Sequence, residues 1–272
     1  MIIKETLAKS IITKSNLPES DFVINPYIGC SHACIYCYAR FMKRFSGHEE
    51  EWGRFVDVKV NAADLIPKNL DKYKNKSIVI GSVTDPYQPA EKKYKITRDI
   101  LKKIVDIDAK IQIITKSDLI IRDIDLLRRF KKLTVAFSVS RSDDKNTKLF
   151  EPGASDINSR IVALKELYKN NIRTVVFISP IFPIISDWKN IIKKTKKYTD
   201  EYWFENLNIY PSVKEKIYSL LKNNFSELMI EYKKIYDNEK KYWDGVEKDI
   251  VRFCKKDDID YKIYFHHKYI KK

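Results

Sequence analysis

Residues 22–40 read FVINPYIGCSHACIYCYAR, and the rest of the chain is best read outward from this stretch. Its first seven residues, Phe22–Ile28, form an apolar, β-branched and aromatic run of the kind that makes a buried strand. Gly29 comes next, where a backbone freed from Cβ constraints can turn sharply. Directly after it stand Cys30, Cys34 and Cys37 in the spacing C-x3-C-x2-C. A strand that runs straight into a cysteine loop sets its thiols at the strand's C-terminal end. In sheets made of strand–helix units, ligands gather at that end.

Similar runs recur at Ser77–Gly81, Ile111–Ile114, Leu133–Val139, Thr174–Ile178 and Tyr202–Ile209. Segments with helical spacing separate them. Ser155 is expected to cap a helix whose apolar face is Ile157, Ile161, Leu164 and Leu167. Thr97–Asp106, Ile124–Phe130 and Asp187–Tyr198 read likewise, and the long first connection carries a short strand at Val56–Val60 and a helix near Ala62–Tyr73. Six strand–helix units predict an α/β fold with a parallel sheet and right-handed crossovers, as either a doubly wound open sheet or a partial barrel. After Ile209 the pattern turns helical over Val213–Asn238 and Gly245–Cys254, with a strand at Tyr261–Phe265. No linker interrupts it, so residues 211–272 are expected to pack as a helical extension on the domain formed by residues 1–210.

Composition narrows the function classes. The 272 residues are 44% hydrophobic, enough for a substantial core and contrary to disorder. No apolar run reaches the roughly eighteen residues of a membrane span, and the N-terminus lacks the features of a secretory signal, so a cytoplasmic location is expected. Four cysteines in such a chain read as metal-binding or catalytic before disulfide. The 52 Lys and Arg against 37 Asp and Glu give a net charge of +15, which favours polyanions and makes nucleic acid a candidate partner. The competing reading is solvated surface, because the lysines are spread from end to end.

Thiolates three and four residues apart can converge on a compact metal centre, as in iron–sulfur loops. Three cysteines can serve three irons of a cubane and leave the fourth open to bind a small molecule. The alternative is a closed zinc site, with His32 or Cys254 as fourth ligand. Structural zinc sites usually bring two separated cysteine pairs, which favours the cluster. Cys254, alone on an expected helix, reads first as a small core residue.

The cysteine spacing, with an aromatic before the last cysteine, resembles the signature of the radical S-adenosylmethionine (SAM) superfamily. The stretches NPYIGCSHACIYCYAR, VDVKVNAADLIPKNL, IGSVTDPYQPAE, ITKSDLIIRDIDLL and FEPGASDINSRIVALKEL resemble the branch that includes spore photoproduct lyase. The resemblance implies a partial (β/α)6 TIM-type barrel, a [4Fe-4S] cluster on Cys30, Cys34 and Cys37, and S-adenosyl-L-methionine bound at the open iron. It also implies a reducing partner, flavodoxin- or ferredoxin-like, and a 5′-deoxyadenosyl radical that takes hydrogen from the substrate.

By the same resemblance, Thr84 and Asp85 accept hydrogen bonds from the cofactor ammonium, and Lys116 pairs with its carboxylate. Ser138 and Ser140 bond the ribose hydroxyls, with turn chemistry as the competing reading. Arg160 contacts a carboxylate or bridges Glu151. Tyr36 flanks the adenine, and Asn206 or Asn208 bonds it, with packing as the default on a strand. One departure stands out: spore photoproduct lyase donates hydrogen from a cysteine at the place of Ser82. A serine O–H is too strong to quench a carbon radical as a thiol does, which leaves Tyr87 and Cys254 as candidate catalytic residues. The substrate is expected to be nucleic acid, a peptide being the close variant and a non-catalytic, zinc-stabilised nucleic-acid-binding module the alternative from another class. The aromatics of Tyr202-Trp203-Phe204 and Tyr242-Trp243 read as packing before base stacking.

Overall fold

The computed structural model describes residues 1–17 and 19–265. Among them the strands are β1 (Ile2–Thr6), β2 (Ile12–Lys14), β3 (Phe22–Ile24), β4 (Tyr27–Ile28), β5 (Phe55–Lys59), β6 (Ser77–Ile80), β7 (Lys110–Thr115), β8 (Leu133–Ser138), β9 (Arg173–Ile181), β10 (Glu201–Asn206) and β11 (Tyr261–Ile263). The α-helices are α1 (Ala90–Tyr94), α2 (Ile96–Ile104), α3 (Ile124–Leu127), α4 (Thr147–Phe150), α5 (Ile157–Lys169), α6 (Trp188–Thr195), α7 (Pro211–Asn224), α8 (Met229–Asp237) and α9 (Glu239–Lys256).

The main sheet has the order β11-β10-β9-β8-β7-β6-β3-β2. Pairing is parallel from β3 to β11, and β2 adds antiparallel to β3. The six expected strands are therefore its middle, extended by one strand at each end. Parallel strands sandwiched on both faces read as continuous apolar runs, which is why these six were visible in the sequence.

The sheet curls. Lys262 of β11 reaches Glu19, between β2 and β3, at 2.8 Å, so its two ends approach each other. Alternation along the strands gives the main sheet two apolar faces. Ile111, Ile113, Val135, Phe137, Val176 and Ile178 pack outward against Leu101, Leu164, Leu167 and Ile192 of the helices. Ala136, Val175 and Trp203, with Ile114, Phe177 and Tyr264, form a separate apolar cluster on the concave face.

Three local readings change. The run Phe22–Ile28 is two strands, because Pro26 has no N–H for the ladder; β3 stays in the main sheet while β4 pairs antiparallel with β5. With β1, these make a small second sheet of order β1-β5-β4. β1 escaped notice because it is an exposed edge with no buried alternation to read. Residues 62–73 form two short 3-10 turns rather than a helix, and the expected helix over 213–238 breaks into α7 and α8 at Phe225–Leu228.

The cap of α5 also moves by one residue. Asp156, in extended conformation, accepts from Ser159 N–H at 2.6 Å, whereas Ser155 bonds Asp118 at 2.7 Å. Asp156→Ala should therefore cost about 1 kcal/mol of stability in urea denaturation, through loss of the cap and of a negative charge at the helix N-terminus. Ser155→Ala should leave that capping contribution in place.

Candidate active site

The cysteine loop leaves β4 at Gly29, whose φ is +84° and where a Cβ would stand 2.4 Å from the Phe55 carbonyl oxygen. Only glycine fits there. Cys30 and Cys34 are buried, Cys37 is half-buried, and all three thiols are free. A loop folded back on itself leaves peptide groups that side chains must satisfy. Gln88, fully buried, does much of this: its carbonyl oxygen accepts from Ser31 N–H at 2.8 Å and from Ser31 Oγ at 3.1 Å, and its amide donates to the Gly29 oxygen at 3.3 Å. Thr84 Oγ1 donates to the same oxygen at 2.6 Å.

The opposite flank is held by the last residue of α4 and the segment after it. Ile35 N–H donates to the Phe150 oxygen at 3.0 Å, and Gly153 N–H donates to the His32 oxygen at 3.0 Å. A Cβ on residue 153 would lie 2.0 Å from the Ser31 oxygen, so glycine is required for the approach. Gln88 and Gly153 were not singled out in the sequence; their only signal was a place inside IGSVTDPYQPAE and FEPGASDINSR.

Two buried carboxylates organise the charges. Asp85 fills its four acceptor positions within the protein: Thr115 Oγ1 at 2.8 Å, Tyr87 N–H at 2.8 Å, Lys116 N–H at 2.7 Å and His32 Nδ1 at 3.3 Å. Burial opposes its charge, yet His32 and the two backbone donors hold it down at about 2. Glu151, with no exposure, accepts from the Tyr36 hydroxyl, from Ser140 Oγ at 3.3 Å and from Arg160 Nη2. Burial again works against the carboxylate, but Arg160, Lys116 and the Tyr36 hydroxyl hold it below the usual range.

Lys116 behaves differently. Its ammonium lies 5.8 Å from the centre of the Tyr36 ring and makes no ion pair with a carboxylate among the described residues. Burial would lower its pKa; Cys34 in its thiolate form and the Glu151 carboxylate outweigh that and hold it above the ordinary value. It is a cation on the strand-end rim whose donors are uncommitted.

The remaining predicted residues divide. Arg160 is a clamp, donating from Nε to the Ser155 oxygen at 2.9 Å and from Nη1 to the Ser138 oxygen at 2.9 Å as it pairs with Glu151. Ser138 Oγ donates to the Ser179 oxygen at 3.0 Å. Asn206 ends β10 with a buried Oδ1 that has no hydrogen-bond partner among the described residues, and its amide is 3.5 Å from Asn208 Oδ1. Tyr36 packs edge-on against Phe182 at 5.4 Å. Thr84 and Asp85 thus brace the loop, and Asn206 presents an acceptor with no protein donor. Tyr87 is fully buried among Asp123, Glu91 and Arg122. Cys254 is buried on α9 near Tyr202, at the N-terminal end of β10 and therefore at the opposite end of the sheet.

The donor set suits an iron–sulfur cluster. Burial pushes all three thiols up, Cys34 to about 12, so a metal's positive charge is what would keep them as thiolates. Among the described residues no three His, Cys, Asp or Glu side chains converge as ligands of one metal ion. A cubane asks less, since each cysteine binds its own iron. A closed zinc site would need a fourth donor, but His32 turns to Asp85 and Cys254 is remote.

Residues 24–195, more than half of the chain, match the Radical SAM superfamily. This chain is a radical SAM protein. It is 41% identical over 258 residues to an uncharacterised protein of Methanocaldococcus jannaschii, covering 94% of each chain. It is 26% identical over 160 residues to the radical SAM Nα-GlyT isomerase of Pseudomonas phage M6, over 58% of this chain and 32% of that one. Spore photoproduct lyase complexed with dinucleoside spore photoproduct superposes with a TM-score of 0.61 at 16% identity, over 80% of this chain and 66% of its own. The radical SAM protein thus spans just under two thirds of that enzyme and has its partial-barrel fold. Membership implies a [4Fe-4S] cluster and SAM as cofactors. Among the described residues no helix is long and apolar enough to cross a membrane.

Two outcomes test how this radical SAM protein holds its loop. Asp85 is depressed in the folded state, so its contribution is present above the unfolded carboxylate value near 4 and is lost as pH falls toward 2. Urea titrations at pH 6 and pH 3 should show about 1 kcal/mol less stability at pH 3 from this group, a loss that Asp85→Asn abolishes. Gly153→Ala should lever the loop from its seat, so that Cys30 and Cys34 react faster with a thiol reagent under native conditions while far-UV circular dichroism is unchanged.

Proposed function

We propose that Cys30, Cys34 and Cys37 hold a [4Fe-4S] cluster, that SAM binds its open iron, and that the enzyme abstracts hydrogen from a nucleic-acid substrate. The observation that carries this reading is three free thiols on one pinned loop, with the uncommitted Lys116 ammonium on the same rim. When bound, the cluster and SAM supply the electron and the 5′-deoxyadenosyl group for the radical step.

The chain's own residues orient and enclose. Lys116 is placed to pair with the methionine carboxylate of SAM, and the charges that raise its pKa keep it cationic. Asn206 Oδ1, buried and without a donor, is placed to accept from the adenine amino group. Tyr36, steadied by Glu151 and Phe182, flanks the ring. The Arg160–Glu151 pair, Ser140 and Ser138 fix the walls against which the cofactor packs. A flavodoxin- or ferredoxin-like protein is the reductant the family reading calls for.

The net charge of +15 supports nucleic acid as substrate, as does a spore photoproduct lyase fold seen with a dinucleoside spore photoproduct. Ser82 supports a reaction other than thiol-quenched repair. Its hydroxyl accepts from the Asn25 amide at 2.9 Å, and it offers no thiol at that place.

The test uses anaerobically reconstituted protein with a chemical reductant, SAM and single-stranded oligonucleotides. Wild-type protein should be brown, carry about four irons per chain and release 5′-deoxyadenosine, with deuterium moving between oligonucleotide and adenosyl group. Cys34→Ala should lose both iron and 5′-deoxyadenosine. Colourless protein that binds one zinc per chain would sink the cluster; 5′-deoxyadenosine formed without any isotope exchange with oligonucleotides would sink the substrate.

A further inference from the structure

Arg141 stands on the same rim as the cysteine loop, three residues beyond the end of β8, and no role has so far fallen to it. It is 8% exposed, yet Nε and Nη1 are shut off from solvent with no hydrogen-bond partner among the described residues. The contrast with Arg160 is plain: both are buried at the end of β8, but Arg160 pairs with Glu151 and donates from each of its three nitrogens. The Arg141 guanidinium carbon sits 4.6 Å from the centre of the Phe150 ring and forms no ion pair among the described residues. Its nearest negative charges, Asp143 and Glu151, act on it only at a distance. Phe150 packs on Phe182 at 4.8 Å and Phe182 on Tyr36 at 5.4 Å, so two rings link this guanidinium to the residue before Cys37.

A guanidinium is charged at every physiological pH and presents its donors in a rigid fork that matches carboxylate and phosphate oxygens. Leaving such a group buried and unpaired is costly, and apolar stacking does not replace the missing acceptors. Fold stability alone would favour a Leu or Met at this site. The fork is understandable if an acceptor arrives from outside.

We infer that Arg141 is an oxyanion-binding residue at the barrel rim, receiving either a phosphodiester of the substrate or the carboxylate of SAM. Lys116 already faces the carboxylate role, which makes the substrate phosphate the better match. The inference takes only its location from the function proposed above, and its test involves no turnover.

Thermal unfolding of the reconstituted protein, without reductant, is followed with SAM, with inorganic phosphate and with a single-stranded oligonucleotide. An anion that engages the fork should raise the melting temperature of wild-type protein by about 5 °C at a concentration of about 100 Kd. Arg141→Met should match or exceed the ligand-free wild type in melting temperature, while binding the relevant anion about tenfold to a hundredfold more weakly. Loss of the phosphate and oligonucleotide shifts assigns the fork to the substrate; loss of the SAM shift assigns it to the cofactor. Where the methionine variant does not fold, Arg141→Lys keeps the charge without the fork, and a reduced ligand shift in it supports the inference equally. A variant that is merely destabilised, with all ligand-induced shifts intact, would overturn it and make Arg141 a packing residue. So would three probes that leave wild-type and variant proteins alike unmoved.

Discussion

The buried carboxylate of Glu151 is the joint on which the rim depends. With no exposure, it must be charge-compensated and hydrogen-bonded. It draws Tyr36 from the cysteine loop, Ser140 from the end of β8 and Arg160 from α5 onto two oxygens. Three elements far apart in sequence therefore cannot drift independently. Such a pair contributes little net stability relative to an apolar substitute, and removing one partner costs several kcal/mol because the other charge stays buried. Its value here lies in specifying position: the segment that bears Glu151 also bears Phe150 and Gly153, which take hydrogen bonds to or from the loop backbone at Ile35 and His32.

Asp85 and Gln88 perform the matching task on the other flank. Asp85 ties the segment after β6 to the start of the segment after β7 and to His32, and Gln88 closes on Ser31 and Gly29. The loop is thus gripped between two polar braces whose donors and acceptors are nearly all used internally. That explains a pattern across the rim: most residues expected to touch a cofactor are already engaged by protein, while Lys116, Asn206 and Arg141 present groups with no protein partner among the described residues. A rigid frame of satisfied groups surrounding a few unsatisfied ones is what pre-organised binding requires.

The curl of the sheet makes this economy possible. Lys262 and Tyr264, both close to the C-terminal end of the described chain, reach Glu19 near the other end of the sheet. Trp203, Phe177 and Tyr264 fill the concave face with edge-on ring contacts between 5.8 and 6.2 Å. Trp203 thus packs in an apolar cluster, in line with the packing reading of the Tyr202-Trp203-Phe204 run. β11 is therefore part of the wall, as the parallel neighbour of β10.

The sequence by itself determined the strand–helix order, the parallel core and the place of the thiols, because burial on both faces leaves long apolar runs and because cysteine spacing is written locally. Lys116 was expected just past the run Ile111–Ile114 and stands directly after β7, whereas Asn206 was read inside the run Tyr202–Ile209 and is the last residue of β10. It could not show that Pro26 sends β3 and β4 into different sheets, that exposed β1 pairs at all, or that Asp156 rather than Ser155 caps α5. Only the tertiary structure decided what Gln88, Gly153 and Arg141 do. Their roles are set by distance and by unmet hydrogen bonds between segments remote in the chain, and neither quantity leaves a period or a spacing in the sequence.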